Sequence, residues 1–75
     1  MYNKINHIKL RAGDDYIKLG QALKAATLVS SGVEAKNVIL DGLVSVNGKV
    51  EDRRGRKLYP GDIVLYDNQE VKVEK

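Results

Sequence analysis

The chain has no cysteine, no phenylalanine and no tryptophan, with one proline, one methionine and one histidine. Without thiols there is no disulfide staple, no thiolate nucleophile and no cysteine-based zinc site. Without Phe and Trp the core must be built from aliphatic side chains. No apolar run approaches the roughly 18 residues of a membrane span, and a membrane is not expected as a partner. Met1 to Asn6 carry no apolar signal core, so a cytoplasmic location is expected. His7 has no partner at ligand or catalytic spacing and reads as a surface or packing residue. There is no Ser-His-Asp set, no glycine-rich phosphate loop with its lysine and no paired histidine ligands. The neighbours Asp14-Asp15 and Glu51-Asp52 point their carboxylates apart. Enzymatic activity, a cofactor, a metal and a small-molecule substrate are therefore not expected.

What remains is a balanced composition, 43% hydrophobic and 31% charged over 75 residues. That suits one soluble globular domain spanning residues 1–75, and a monomer is expected. A chain of this size buries roughly 60% of its unfolded surface, so its stability margin is thin. The charge is not spread evenly. Arg53, Arg54, Arg56 and Lys57 lie within five consecutive positions; without them the formal charge falls from +3 to −1. A dense cationic patch on an otherwise balanced surface points to a polyanion, most often nucleic-acid phosphate. A plain solvated loop is the competing reading of such a run.

Periodicity supplies the elements. Ile8 and Leu10 alternate with Lys9 and Arg11, which predicts a half-buried strand over Ile5 to Leu10, and 12–15 read as a turn. Leu19, Ala22, Leu23 and Ala26 mark one face of a helix over 18–26. Ser31 and Glu34 match a capping box, with the serine hydroxyl taking a free N–H and the carboxylate reaching back to the Ser31 N–H. Ala35, Val38 and Ile39 continue an apolar face, and Gly42 suits a left-handed cap. Residues 43–46 and 49–51 flank Asn47-Gly48, a type I′ hairpin signal. Pro60-Gly61 fits a type II turn. Residues 63–66 and 71–73 read as strands, with a turn over 67–70. The expected fold class is α+β, two short helices packed on a small, mostly antiparallel sheet.

The order of these elements resembles the RNA-binding domain named after ribosomal small-subunit protein four, the S-four-type domain or αL motif. The match is carried by Leu19, Leu23, Ser31, Ala35, Ile39, Gly42, Val44, Val46, Asn47, Gly48, Pro60, Gly61, Asp62 and Val64, over about residues 16–66. The run from Arg53 to Asp62 looks most like the small stand-alone bacterial members, the YaaA-like proteins. The resemblance implies RNA across the outer face of the helices and against the hairpin. It implicates Lys18, Lys24, Ser31 and Lys36 beside Arg53, Arg54, Arg56 and Lys57, with structured RNA, ribosomal RNA by family analogy, as partner. The sequence departs from the family pattern at Gly20, where an acid is common, and at Gly32, where arginine is common. The loss of that arginine shifts expected phosphate binding toward the patch.

Each feature has a plainer reading. Capping is favoured for Ser31, since Glu34 would repel phosphate at that helix end. Gly55 is read as letting the basic loop turn. Tyr2, Tyr16, Tyr59 and Tyr66 are read as core bulk, with Tyr59 kept as a candidate for base stacking. Glu51 and Asp52 are expected to neutralise part of the patch. Four clustered cations would read phosphates and not base identity, and would give a log–log salt slope of roughly −3. The rival function is a protein-interaction adaptor that sets the patch against an acidic partner. The absence of an exposed aromatic or methionine-rich anchor counts against it.

Overall fold

Alternation of apolar and charged residues builds strand β1 (Lys4–Lys9), in which Ile8 is buried and Lys9 exposed; Leu10 is buried just beyond it. The computed structural model describes residues 4–75. After β1 come β2 (Ile17–Lys18), α1 (Leu19–Ala25), α2 (Gly32–Leu40), β3 (Val44–Val46), β4 (Lys49–Val50), β5 (Lys57–Leu58), β6 (Ile63–Tyr66) and β7 (Gln69–Glu74). Five strands form one sheet in the order β1-β7-β6-β3-β4, and β2 pairs with β5 separately. β1 runs parallel to β7, while the other pairs are antiparallel. This is the α+β arrangement that the periodicities predict.

The helices lie on the sheet through the expected stripe. Leu19, Ala22 and Leu23 from α1 and Ala35, Val38 and Ile39 from α2 meet Val44, Val46, Val64, Val71 and Val73. Leu19, Leu23, Ile39 and Leu58 are fully enclosed, each contributing about 1.5–3 kcal/mol by leaving water. With no Phe or Trp to fill space and Tyr66 only packed against its edge, the core depends on close fit among aliphatic groups.

The turns follow their sequence signals. Gly42 has φ +76°, its N–H donating to Ile39 and that of Leu43 to Val38, which closes the last turn of α2. Asn47 and Gly48 both take positive φ, as a two-residue type I′ hairpin requires. Gly61 has φ +99° and the Asp62 N–H donates to the Tyr59 carbonyl over 3.0 Å, the expected type II turn.

Five expectations are corrected in detail. The 67–70 turn is shorter: Asp67 and Asn68 alone form it, both at positive φ, and Gln69 and Glu70 already belong to β7. The β2–β5 pair has no counterpart among the predicted strands. Glu34 reaches back one residue further than expected, its carboxylate accepting from Ser30 N–H (2.8 Å) and Ser30 Oγ (2.9 Å). Of the tyrosines, Tyr66 alone packs on the core, Tyr16 and Tyr59 are exposed, and Tyr2 lies outside the described residues. Gly55 has no positive φ and a Cβ there would meet nothing within 4 Å, so the basic loop does not depend on it. Among the described residues no helix is long and apolar enough to cross a membrane.

Candidate nucleic-acid interface

The hairpin hands its register on to the basic loop. The Glu51 N–H donates to the Val44 carbonyl over 3.0 Å, extending the pairing just past β4. The Glu51 side chain is enclosed, at 7% exposure, and becomes the hub of the loop. Its carboxylate accepts from Arg53 Nε (2.9 Å), Arg53 Nη2 (3.2 Å), the Arg53 N–H (3.2 Å) and Arg56 Nη1 (2.8 Å). The Arg53 fork and then Arg56 hold the Glu51 carboxyl down to about 2, against the opposing effect of burial. Arg53 is correspondingly raised, first by its hydrogen bond to Glu51. Neutralisation by Glu51 is thus direct.

The same loop closes the start of α1. A helix leaves its first N–H groups without internal partners. Here the Leu19 N–H donates to the Arg56 carbonyl (2.8 Å) and the Gly20 N–H to the Arg54 carbonyl (3.0 Å). The Lys18 N–H donates to Gln21 Oε1 (3.3 Å). A Cβ at Gly20 would already touch Arg54 Cβ and its carbonyl at 3.6 Å. The loop therefore packs directly against α1 at Gly20, with ordinary contact distance left for a methyl group.

With Arg53 and Arg56 turned onto Glu51, the other patch cations face elsewhere. Arg54 lines a groove of about 640 Å³ together with Lys9, Arg11, Lys18 and Lys24. Five cations share this groove with one carboxylate, Asp14, and one aromatic, Tyr16. Arg54 also borders a smaller depression of about 150 Å³ beside Lys36, Leu40 and Asp52. Lys57 lies with its Nζ 4.9 Å from the Tyr16 ring centroid. Ser31 caps α2, its Oγ accepting from the Glu34 N–H over 3.1 Å. Ser30 holds the Glu34 carboxyl below its usual range, mainly through its backbone N–H and then its hydroxyl. That carboxylate makes the start of α2 a poor seat for phosphate.

The structure thus brings Lys18, Lys24 and Arg54 together, ties Arg53 and Arg56 to Glu51, and leaves Lys36 at the smaller depression and Ser31 as the cap of α2. Lys9, Arg11 and Tyr16 line the same groove, where no expectation from the sequence put them. Lys9 and Arg11 were legible only as the polar half of an alternating strand. His7 Nδ1 lies 2.9 Å from the Glu74 carboxylate on the exposed face, a surface contact across the parallel β1–β7 pair.

The family model described as S4 domain matches residues 8–74. The chain is 48% identical over 50 residues to the probable ribosome maturation protein RlbA of Bacillus subtilis, covering 67% of this chain and 70% of that one. It is 41% identical over 54 residues to the small ribosomal subunit protein uS4m of Schizosaccharomyces pombe. That match covers 72% of this chain but spans 16% of the yeast protein.

Proposed function

The chain belongs to the S4 domain family, and from that premise we propose that it is a non-enzymatic RNA-binding module that grips structured RNA by its backbone. The observation that carries this reading is the groove of Lys9, Arg11, Lys18, Lys24 and Arg54, five cations facing one carboxylate. Clustered ammonium and guanidinium groups select phosphate, and Arg54 adds a planar fork suited to two phosphate oxygens. Lys57 stands beside the groove, over the Tyr16 ring. Arg53 and Arg56 work chiefly by fixing the loop that aims Arg54, with Lys36 continuing the positive surface on the other side of Arg54. The similarity to proteins named for the small ribosomal subunit and for ribosome maturation supports ribosomal RNA, in the ribosome or an assembly intermediate, as target. The protein would then act in the cytoplasm as one unit.

The test is binding of ribosomal RNA fragments across a salt series by the Lys18→Ala/Lys24→Ala/Arg54→Ala variant. None of the three substitutions removes a Glu51 hydrogen bond, so the fold is expected to persist. Each phosphate left without its cation lowers the log–log salt slope by roughly 0.7–0.9, so the slope should fall by about 2 to 3. Unchanged affinity and slope would sink the proposal.

The adaptor reading has one observation in its favour. Tyr16 and Tyr59 are exposed, at 36% and 48%, so the argument from a missing aromatic anchor does not hold. A protein partner that stays bound after nuclease treatment would support that reading over RNA binding.

A further inference from the structure

We propose that Tyr16 and Tyr59 form a stacking shelf for one unpaired RNA base at the edge of the basic groove, a site that rests on the RNA-binding reading above. A chain with no Phe or Trp keeps these two large aromatic side chains outside its core. Their ring centroids lie 5.9 Å apart with the planes inclined at 50°. Tyr16 lines the groove, and the Lys57 ammonium sits over its ring.

The shelf is held before any ligand arrives. The Tyr59 N–H donates to Asp62 Oδ2 over 2.8 Å, and its carbonyl accepts from the Asp62 N–H. Tyr16 precedes the β2 residue Ile17, which pairs with Leu58, the residue before Tyr59. A short ladder therefore fixes the spacing between the backbones that carry the rings, so that much less ordering remains to be done on binding. Because the rings are inclined, a base can lie flat on only one of them. Tyr59, the more exposed, takes its face, and Tyr16 meets its edge. Lys57 then serves the phosphate next to that base.

This chemistry selects a form of RNA. Bases inside an A-form duplex are stacked on one another and offer no free face, whereas a bulge, loop or end does. Stacking on an aromatic ring tolerates any base. The groove would hold the paired stem by its phosphates, and the shelf would register where pairing stops.

Two RNA hairpins, identical except for one unpaired adenosine in the stem, test the shelf. Without tryptophan, emission comes from the four tyrosines, and a base stacked on Tyr59 should quench part of it. The wild-type protein should bind the bulged hairpin on the order of tenfold more tightly, with quenched emission. Tyr59→Leu should lose that preference and Tyr59→Phe should keep it, with the same salt slope in all three. A wild type that binds both hairpins alike with a normal salt slope, or a Tyr59→Leu variant that keeps the preference, would overturn the shelf alone. Failure of the wild type to bind either hairpin at low salt would overturn the RNA-binding reading and the shelf with it.

Discussion

The main-chain N–H of Gly20 donates to the carbonyl of Arg54 over 3.0 Å, joining the first turn of α1 to the middle of the basic loop. One departure of this chain from the family pattern, Gly20, is thereby tied to the basic loop. Where an acid is common the chain has glycine, and the room this leaves is filled by the loop that carries the cations. The loop supplies to α1 the acceptors that an N-terminal capping side chain would otherwise provide.

Gly20→Ala and Gly20→Leu should move stability in opposite directions. Gly20 is helical, its φ is not positive, and its nearest would-be Cβ contact is at 3.6 Å. Alanine fits and should stabilise by about 0.5–1 kcal/mol by removing the backbone freedom of glycine. Leucine should press on Arg54 and cost about 1–3 kcal/mol. Thermal unfolding would read each kcal/mol as a shift of about 4–8 °C.

Glu51 should make the protein acid-sensitive in a defined window. Its carboxyl is held down to about 2 in the folded chain against an ordinary value of 4.5. A depressed acid contributes stability that is complete above the unfolded value and drains as pH falls toward the folded one. The loss should therefore fall between about pH 4.5 and 2. Glu51→Gln should flatten acid unfolding over that window, followed by circular dichroism. At neutral pH it should cost about 1.5–3 kcal/mol, the range for hydrogen bonds to a charged group. An acid unfolding curve for Glu51→Gln that overlays the wild type would rule out this role.

The helices and hairpin were legible because their determinants are local. Leu19, Ala22 and Leu23 fall at helical spacing, Gly42 at the helix end, and Asn47-Gly48 between two alternating apolar runs. The β2–β5 ladder was not, since two residues on each side, far apart in the chain, leave no periodic trace. The density of the patch was visible, but its division was not. Which arginines pair with Glu51 depends on Glu51 being enclosed beside the hairpin. The groove was half legible. Lys9 and Arg11 are scattered cations in the sequence, and only closure of β1 beside α1 gathers them with Arg54.

The start of α2 should respond to its two serines unequally. Ser31 Oγ accepts from the Glu34 N–H, while Ser30 donates to the Glu34 carboxylate through both its N–H and its hydroxyl. Ser31→Ala removes the cap and should cost about 1 kcal/mol. Ser30→Ala keeps the backbone donor and should cost a few tenths at most. Neither should change RNA affinity beyond the effect on folding, because Glu34 already occupies that helix end. Chemical denaturation and a filter-binding assay on the same variants would check both statements.

Asn47 joins the two turns that carry the family likeness, and its conformational and bonding roles can be separated. Its φ is +52°, its Nδ2 donates to Asp62 Oδ1 (3.0 Å), and its Oδ1 accepts from the Ile63 N–H (3.0 Å). Asn47→Gly keeps the left-handed backbone and removes the amide clamp, two exposed hydrogen bonds worth about 0.5–1.5 kcal/mol each. Asn47→Ala removes the clamp and adds about 1–2 kcal/mol for forcing an alanine into that region. Alanine should therefore be the worse substitution by at least the strain. If glycine and alanine proved equally costly, the backbone conformation would not matter and the clamp would carry the whole effect. The clamp reaches further than the turn, because Asp62 holds Asn47 with one carboxylate oxygen and the Tyr59 N–H with the other. In Asn47→Gly, amide exchange at Tyr59 should speed up along with that at Ile63, while the buried N–H of Ile39 in α2 should keep its protection.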